Sequence, residues 1–195
     1  MKLSRNLLFA VIVILVVGGC TKPKALVPTS YVPFKASDSA FTCDAPAGWT
    51  SSSFASTGTE SGGDFSSASA DIHVDSDEAG SFMGDIAASG GVGTVIAGGA
   101  TQSPIPPVEK LHATQGADFA NRLHNYVELG TNNTTAPYGD GRVTEYTADG
   151  IHGYRVTILG RERSVTVDAN CPEDEWPALN AMFLHVINSI QAGSS

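Results

Sequence analysis

Three residues with metal-binding side chains occur at alternate positions of one short segment. In Asp71-Ile72-His73-Val74-Asp75, an imidazole stands between two carboxylates. Alternate residues of a β-strand point to the same face, so Asp71, His73 and Asp75 would lie about 7 Å apart on one face. Imidazole and carboxylate groups bind Zn²⁺, and carboxylate oxygens bind Ca²⁺. The same spacing is typical of the solvated face of an edge strand, whose charges oppose edge-to-edge pairing.

Sequence motifs of common catalytic sites are missing from the chain. The segment nearest to the Gly-x-Ser-x-Gly motif of serine hydrolases is Gly80-Ser81-Phe82-Met83-Gly84, which instead predicts a capped helix start. Gly90-Gly91-Val92-Gly93 lacks the Lys and Ser/Thr of a phosphate-binding loop. No nucleophile or carboxylate stands at a recognisable spacing from His112, His124 or His152. We therefore predict that the protein is not an enzyme and uses no cofactor.

The amino-terminal residues are typical of a secretory signal peptide. Lys2 and Arg5 are followed by an unbroken apolar run over residues 7–17. As a helix this run would cover only about half of a 30 Å hydrocarbon core, which is too short for a membrane span. Val17-Gly18-Gly19-Cys20 resembles the bacterial lipobox, in which a lipid is attached to the Cys thiol and the chain is cleaved just before it. We predict that residues 1–19 are removed and that Cys20 carries acyl chains such as palmitate.

Residues 20–36 are predicted to be an extended tether that holds a domain away from a membrane surface. The segment contains Pro23, Pro28 and Pro33 together with scattered Thr, Ser and Lys. The prediction is thus an extracytoplasmic, lipid-anchored protein. By resemblance to Gram-negative lipoproteins, Thr21 rather than Asp after the Cys favours the outer membrane over the inner one.

Cys43 and Cys171 remain once Cys20 is lipidated. An even pair of cysteines outside the cytoplasm favours a disulfide. Closing a loop of about 130 residues would stabilise the fold by about 4 to 5 kcal/mol. Two buried thiols are the alternative, and we predict the disulfide.

Composition excludes one class of partner and sets the number of domains. The chain has 195 residues, of which 42% are apolar and 16% charged, and its formal net charge is −9. Lys and Arg never form a run, whereas binding to a polyanion needs clustered cations. We predict no nucleic-acid partner and a single domain over residues 37–191, followed by a tail at 192–195.

Alternating and helical patterns predict the elements of this domain. Strands are expected at residues 40–44, 50–57 and 64–74, then a short helix at 79–88 and a Gly-rich loop at 89–108. Helical spacing returns at Val108 and Leu111, and again in an apolar stripe formed by Phe119, Leu123, Tyr126 and Val127.

The last third of the chain predicts a three-stranded antiparallel meander and a closing helix. Asp140-Gly141, Asp149-Gly150 and Gly160-Arg161 are turn signals between runs of alternating residues. His185 lies opposite the apolar side of the closing helix, where it would be solvated. That apolar side consists of Trp176, Leu179, Phe183, Val186, Ile187 and Ile190. The fold class predicted is α+β, an antiparallel sheet flanked by helices.

Several short motifs resemble those of PsbP-like domains. Phe41-x-x-x-x-Pro46-x-Gly48-Trp49 is similar to the opening of these domains, and Gly153-Tyr154-x-Val156-x-Ile158 and Val165-x-Val167 are similar to their later strands. The helix that starts near Trp176 and ends Val186-Ile187-x-Ser189-Ile190 completes the resemblance. It implies a PsbP-like sandwich over residues 37–191 and a binding or assembly role, and it assigns no functional residue.

These observations predict a lipid-anchored cell-envelope protein that binds an envelope protein or a small ligand without turnover. One alternative is a metal-dependent enzyme or metal carrier that uses Asp71, His73 and Asp75. Another is a structural spacer in the envelope.

Overall fold

The computed structural model describes residues 23–55, 61–78, 108–161 and 163–193. The signal peptide, Cys20, the helix predicted at 79–88 and the loop predicted at 89–108, apart from Val108, lie outside these ranges. The elements are β1 (Tyr31–Lys35), β2 (Phe41–Pro46), β3 (Thr50–Ala55), β4 (Ser61–Ser67), β5 (Ala70–Glu78), α1 (Val108–Arg122), β6 (Val127–Asn133), β7 (Asp140–Ala148), β8 (Ile151–Leu159), β9 (Arg163–Pro172), α2 (Trp176–Ser189) and β10 (Gln191–Ala192).

The strands form two antiparallel sheets. The larger sheet has the order β3-β4-β5-β9-β8-β7-β6, and the smaller one has the order β1-β2-β10. The predicted α+β class is confirmed, and the meander is present as β7, β8 and β9 joined in sequence. Within the described ranges, neither helix is long and apolar enough to cross a membrane.

The two faces of the larger sheet have different chemistry. Val156 and Ile158 are fully buried in the apolar core, which also contains α2 and β2. Arg155 and Thr157 alternate with them along β8 and therefore point to the opposite face. Helix α1 packs on that opposite face, against β7 and β8. Helix α2 is thus held on one face of the sheet by apolar burial. The face that α1 covers carries the polar side chains of Arg155 and Thr157.

Two predictions about element boundaries are wrong. The helical stripe predicted to run to Val127 ends at Arg122, because Asn125 takes a left-handed conformation with φ 54° and Val127 begins β6. The single strand predicted at 64–74 is a hairpin of β4 and β5, which turns at Ala68 with φ 50°. Strand β5 lies between β4 and β9, so the interpretation of its charged face as an edge strand is also wrong.

The segment predicted as a free tether is bound to the domain. Lys24 forms an ion pair with Asp174 at 2.9 Å, and residues 31–35 form β1 beside β2. Glu175, just before α2, accepts hydrogen bonds from the Ala25 N–H and the Ser69 hydroxyl. The ordered domain therefore begins well before residue 37, and at its other end β10 extends it into the predicted tail at residue 192.

The predicted disulfide is absent, and Cys43 and Cys171 are buried free thiols. Cys43 belongs to β2 of the smaller sheet and Cys171 to β9 of the larger sheet, and helix α2 packs against both strands. Each thiol fills a place in the apolar core on its own sheet. Burial raises the pKa of each thiol to about 12, so neither forms a thiolate at neutral pH.

The first prediction concerns these thiols. In a Cys20→Ser variant, a reducing agent should leave the melting temperature unchanged, since no covalent bond is lost. A disulfide that closes this loop would instead lower the melting temperature by about 10 °C or more on reduction. Thiol titration should detect both cysteines only after denaturation. A drop in melting temperature on reduction would contradict the structure.

Candidate functional site

Two of the three predicted metal-binding residues, His73 and Asp75, belong to an ion-pair cluster centred on the His73 imidazole, and Asp71 does not contact it. The Nδ1 of His73 lies 2.5 Å from Asp64 Oδ1, on the neighbouring strand β4, and its Nε2 lies 2.8 Å from Asp75 Oδ2. The imidazole stacks on the Phe54 ring with a centroid distance of 5.6 Å. Both ring nitrogens are therefore occupied by carboxylates. Strand β5 is present as predicted, but the His73 imidazole contacts the carboxylates of Asp64 and Asp75.

This arrangement does not assemble the predicted metal site. Hydrogen bonds to Asp75 and Asp64 outweigh burial and raise the pKa of His73 to about 9, so the ring is a cation at neutral pH. A metal ion bound at His73 would have to displace this proton. The pKa of Asp71 is raised by burial and by the nearby Asp168 and Asp64. In the described part of the chain, no group of three or more His, Cys, Asp or Glu side chains is arranged to hold a metal ion.

A different site lies between α1 and the polar face of the sheet. We call this surface depression, of about 360 Å³, the α1 cleft. It combines side chains of both charges with small residues of the helix. Its lining consists of Glu109, His112, Ala113, Gly116, Ala117, Glu128, Thr131, Arg142 and Arg155.

Arg155 forms the floor of the α1 cleft and is only 2% exposed. Its guanidinium donates to the His112 carbonyl at 2.5 Å, to Glu128 Oε1 at 2.9 Å and to the Tyr126 hydroxyl at 3.2 Å. A Cβ atom at Gly116 would lie 2.8 Å from Arg155 Nη2. Glycine at this position therefore lets α1 approach the guanidinium closely.

His112 is the centre of a hydrogen-bond chain beneath α1. Its Nδ1 lies 2.8 Å from the Thr157 hydroxyl and its Nε2 lies 2.7 Å from the Thr144 hydroxyl. Thr157 donates its own proton to Gln115 Oε1, so it accepts from the His112 Nδ1–H. Nε2 then accepts from Thr144, whose oxygen accepts in turn from Thr131 at 2.6 Å. The structure thus assigns the Nδ1–H tautomer and leaves no free lone pair on the ring.

The electrostatics of the cleft keep His112 neutral. Burial, followed by the positive charge of Arg155, lowers its pKa to about 4. At the mouth of the cleft, Arg142 donates a hydrogen bond to Glu109. The pKa of Glu109 is lowered by its own backbone N–H and by Arg142, so the mouth holds a charged pair.

Two other histidines also have partners that their sequence neighbours do not reveal. His152 is buried, stacks on Trp176 at 3.9 Å and lies between Glu145 and Glu173. His185, which the sequence predicts to be solvated, is partly exposed. It stacks on Tyr31 at 3.8 Å and contacts Asp44 at 3.0 Å.

Sequence reasoning did not identify the α1 cleft, because its residues come from four successive elements, α1, β6, β7 and β8, whose packing against one another the sequence pattern does not show. One signal was available. Arg155 is the one Arg or Lys of β8, a strand in which nearly every position is buried. A lone cation in such a run indicates a buried partner set on another element.

The second prediction concerns His73. Since folding raises its pKa from 6.5 to about 9, the folded protein holds a proton that the unfolded chain releases between these pH values. The stabilisation is fully present below pH 6.5 and is lost as pH rises through 9. For a half-exposed ion pair we expect about 1 kcal/mol. Urea unfolding at pH 6 and 9.5 should show a smaller loss for His73→Gln than for the wild type. Equal losses would contradict the prediction.

The third prediction concerns His112, whose pKa shifts in the opposite direction. The unfolded chain takes up a proton as pH falls from 6.5 to about 4, and the folded protein does not. The free energy of unfolding should therefore fall by about 2 to 3 kcal/mol across this range. In His112→Gln, which is less stable at pH 7, the fall should be smaller. Urea unfolding at pH 7, 5 and 4 measures both, and an identical pH dependence would argue against a neutral His112.

Comparison with known proteins identifies the fold of the chain but no family to which it belongs. No family model and no curated protein matches the chain. The solution structure of cyanobacterial PsbP (CyanoP) from Synechocystis sp. PCC 6803 is similar, with 14% identity, 90% of this chain and 98% of that chain covered, and a TM-score of 0.54. LpqN of Mycobacterium tuberculosis, described as involved in cell envelope biogenesis, shows 10% identity over 85% of this chain and 91% of that chain, with a TM-score of 0.50. The chain therefore has the fold that the sequence motifs indicated, a PsbP-like α+β sandwich.

Proposed function

We propose that the protein is a lipid-anchored, extracytoplasmic module that binds an envelope protein or a small ligand at the α1 cleft without turnover. The fold is shared with LpqN, whose description places that protein in cell envelope biogenesis. The cleft volume lies at the lower end of the range for small-ligand sites, which is about 300 to 1,000 Å³.

The observation that carries a binding role is the saturation of His112. A general base needs a free lone pair within reach of a substrate proton. In this cleft the lone pair of His112 accepts from Thr144, its N–H donates to Thr157, and its pKa of about 4 opposes protonation. The groups that a ligand meets first are the charged Glu109 and Arg142 at the mouth. Such a site recognises polar groups without activating them.

The anchor is supported by the sequence and by the state of the other cysteines. Cys20 follows a cationic start, an apolar run and two glycines. Cys43 and Cys171 are buried with strongly raised pKa values, so neither is available for acylation in the folded protein. We place the anchor at Cys20 and, from Thr21, in the outer membrane where two membranes are present.

The fourth prediction tests the lipid anchor and the α1 cleft separately, both in intact cells. The anchor is tested by labelling. Radiolabelled palmitate should label the wild type and a Thr21→Ser control, and it should not label Cys20→Ser. Equal labelling of the Cys20→Ser variant would remove the anchor.

For the cleft, Ala117→Arg places a long side chain in it, and Ala120→Arg makes the same change at an exposed position of α1 outside the lining. Both variants should melt within about 2 °C of the wild type, because both positions are exposed. Crosslinked species formed by the wild type should persist in Ala120→Arg and disappear in Ala117→Arg. Identical crosslinking in all three proteins would show that the cleft is not the binding site.

A further inference from the structure

We propose that one end of this domain lies directly on the lipid bilayer, with Leu26, Val27 and Val32 in the headgroup layer. The proposal rests on the lipid anchor at Cys20 proposed above. It adds an interaction surface to that anchor. The anchored protein would then have a fixed orientation, in place of the freely tethered domain that the Pro-rich sequence predicts.

The first argument is the short reach between the lipid and the domain. The domain binds its own amino-terminal segment from Lys24 onwards, through Asp174 and through the Ala25 N–H donating to Glu175 at 2.8 Å. Only four residue steps separate Cys20 from Lys24, which span at most about 14 Å when fully extended. The headgroup layer alone is about 5 to 8 Å thick. The domain therefore stays within about 10 Å of the headgroup surface.

The second argument is that the bound segment follows one end of the larger sheet. The Leu26 N–H donates to Ser67, at the β4–β5 turn, and the Leu26 carbonyl accepts from the Trp49 indole N–H at 2.8 Å. Gly48, with φ 85° in the β2–β3 turn, leaves room for the Leu26 side chain, which a Cβ there would approach to 2.7 Å. These turns and the start of α2 form one surface, which we call the anchor end.

The third argument is the distribution of exposed apolar side chains. Leu26 is 51% exposed, Val27 50% and Val32 47%, and they fall within seven consecutive positions next to the lipidation site. Val127 is 53% exposed and lies opposite Thr147, close to the β7–β8 turn at the same end of the sheet. Exposed apolar residues scattered singly need no explanation, whereas a group at the point of lipid attachment fits a bilayer surface.

Charge at the anchor end indicates which lipids it meets. The Lys24 ammonium is paired with Asp174, and the neighbouring Glu173 and Glu175 are acidic. An anionic bilayer is recognised by unpaired clusters of Lys and Arg near the surface. The contact proposed here is instead apolar, so it should form on zwitterionic phosphatidylcholine and should not strengthen when phosphatidylglycerol is added.

The fifth prediction measures this contact with the full lipidated chain, isolated from cells fed with radiolabelled palmitate and reconstituted into phosphatidylcholine vesicles. A nitroxide is attached in Val27→Cys, and in Arg161→Cys as the control. Arg161 is exposed in the β8–β9 turn, at the opposite end of the sheet. The buried Cys43 and Cys171 do not compete for the reagent.

We expect the label at residue 27 to lose most of its collisions with a water-soluble nickel chelate and to keep those with oxygen. The label at residue 161 should keep its collisions with nickel. Equal nickel access at both positions, in protein that carries palmitate, would overturn the contact and leave the anchor intact. Shielding of residue 27 from nickel and oxygen together would indicate a protein cover and also overturn it. Protein without palmitate would refute the anchor itself, and the contact with it.

Discussion

The guanidinium of Arg155 fixes the position of helix α1 on the sheet. The helix fully buries only Val108, Leu111, His112 and Gly116, and Phe119 packs on the Tyr146 ring, so its apolar contact with the sheet is small. Moving a guanidinium out of water costs several kcal/mol, which is offset only when most of its N–H groups find acceptors. Here those acceptors belong to α1 and to the chain around β6, and the buried charge therefore ties the helix and the edge of the sheet to β8.

A polar attachment of this kind also explains the open volume of the α1 cleft. Apolar side chains fill the space beneath α2, where Phe183, Val186 and Ile187 are fully buried. Beneath α1, hydrogen bonds between His112 and two threonines instead set the distance between the helix and the sheet. Small residues such as Ala113 do not fill the space that this distance leaves. The open volume next to α1 is a consequence of holding a helix by polar groups.

The sequence predicted the parts of the fold that depend on local periodicity and missed the parts that depend on distant partners. The meander and α2 follow from alternating and helical apolar patterns, which is why both are present close to the predicted positions. The helix predicted to continue to Val127 ends early, because Asn125 takes a left-handed conformation that redirects the chain. The pairing of Arg155 with residues of α1 joins positions more than 40 apart, and an even count of cysteines carries no information about which sheet each occupies. The Pro-rich segment looked like a linker because its bonds depend on Glu175 and Ser67, far along the chain.

The topology of the larger sheet relates the α1 cleft to the anchor end. Strand β7 runs from Asp140 to Ala148, and the turn after Ala148 lies at the anchor end. Arg142 is near the start of β7, opposite Asn133, and its partner Glu109 is in the first turn of α1. This charged pair of the cleft is therefore at the far end of the sheet from Leu26. With the anchor end on the bilayer, as proposed, the pair faces the aqueous side, where polar ligands and other proteins reach it and acyl chains do not. The charged pair at the mouth agrees with that orientation, since a site for lipid tails would have an apolar entrance.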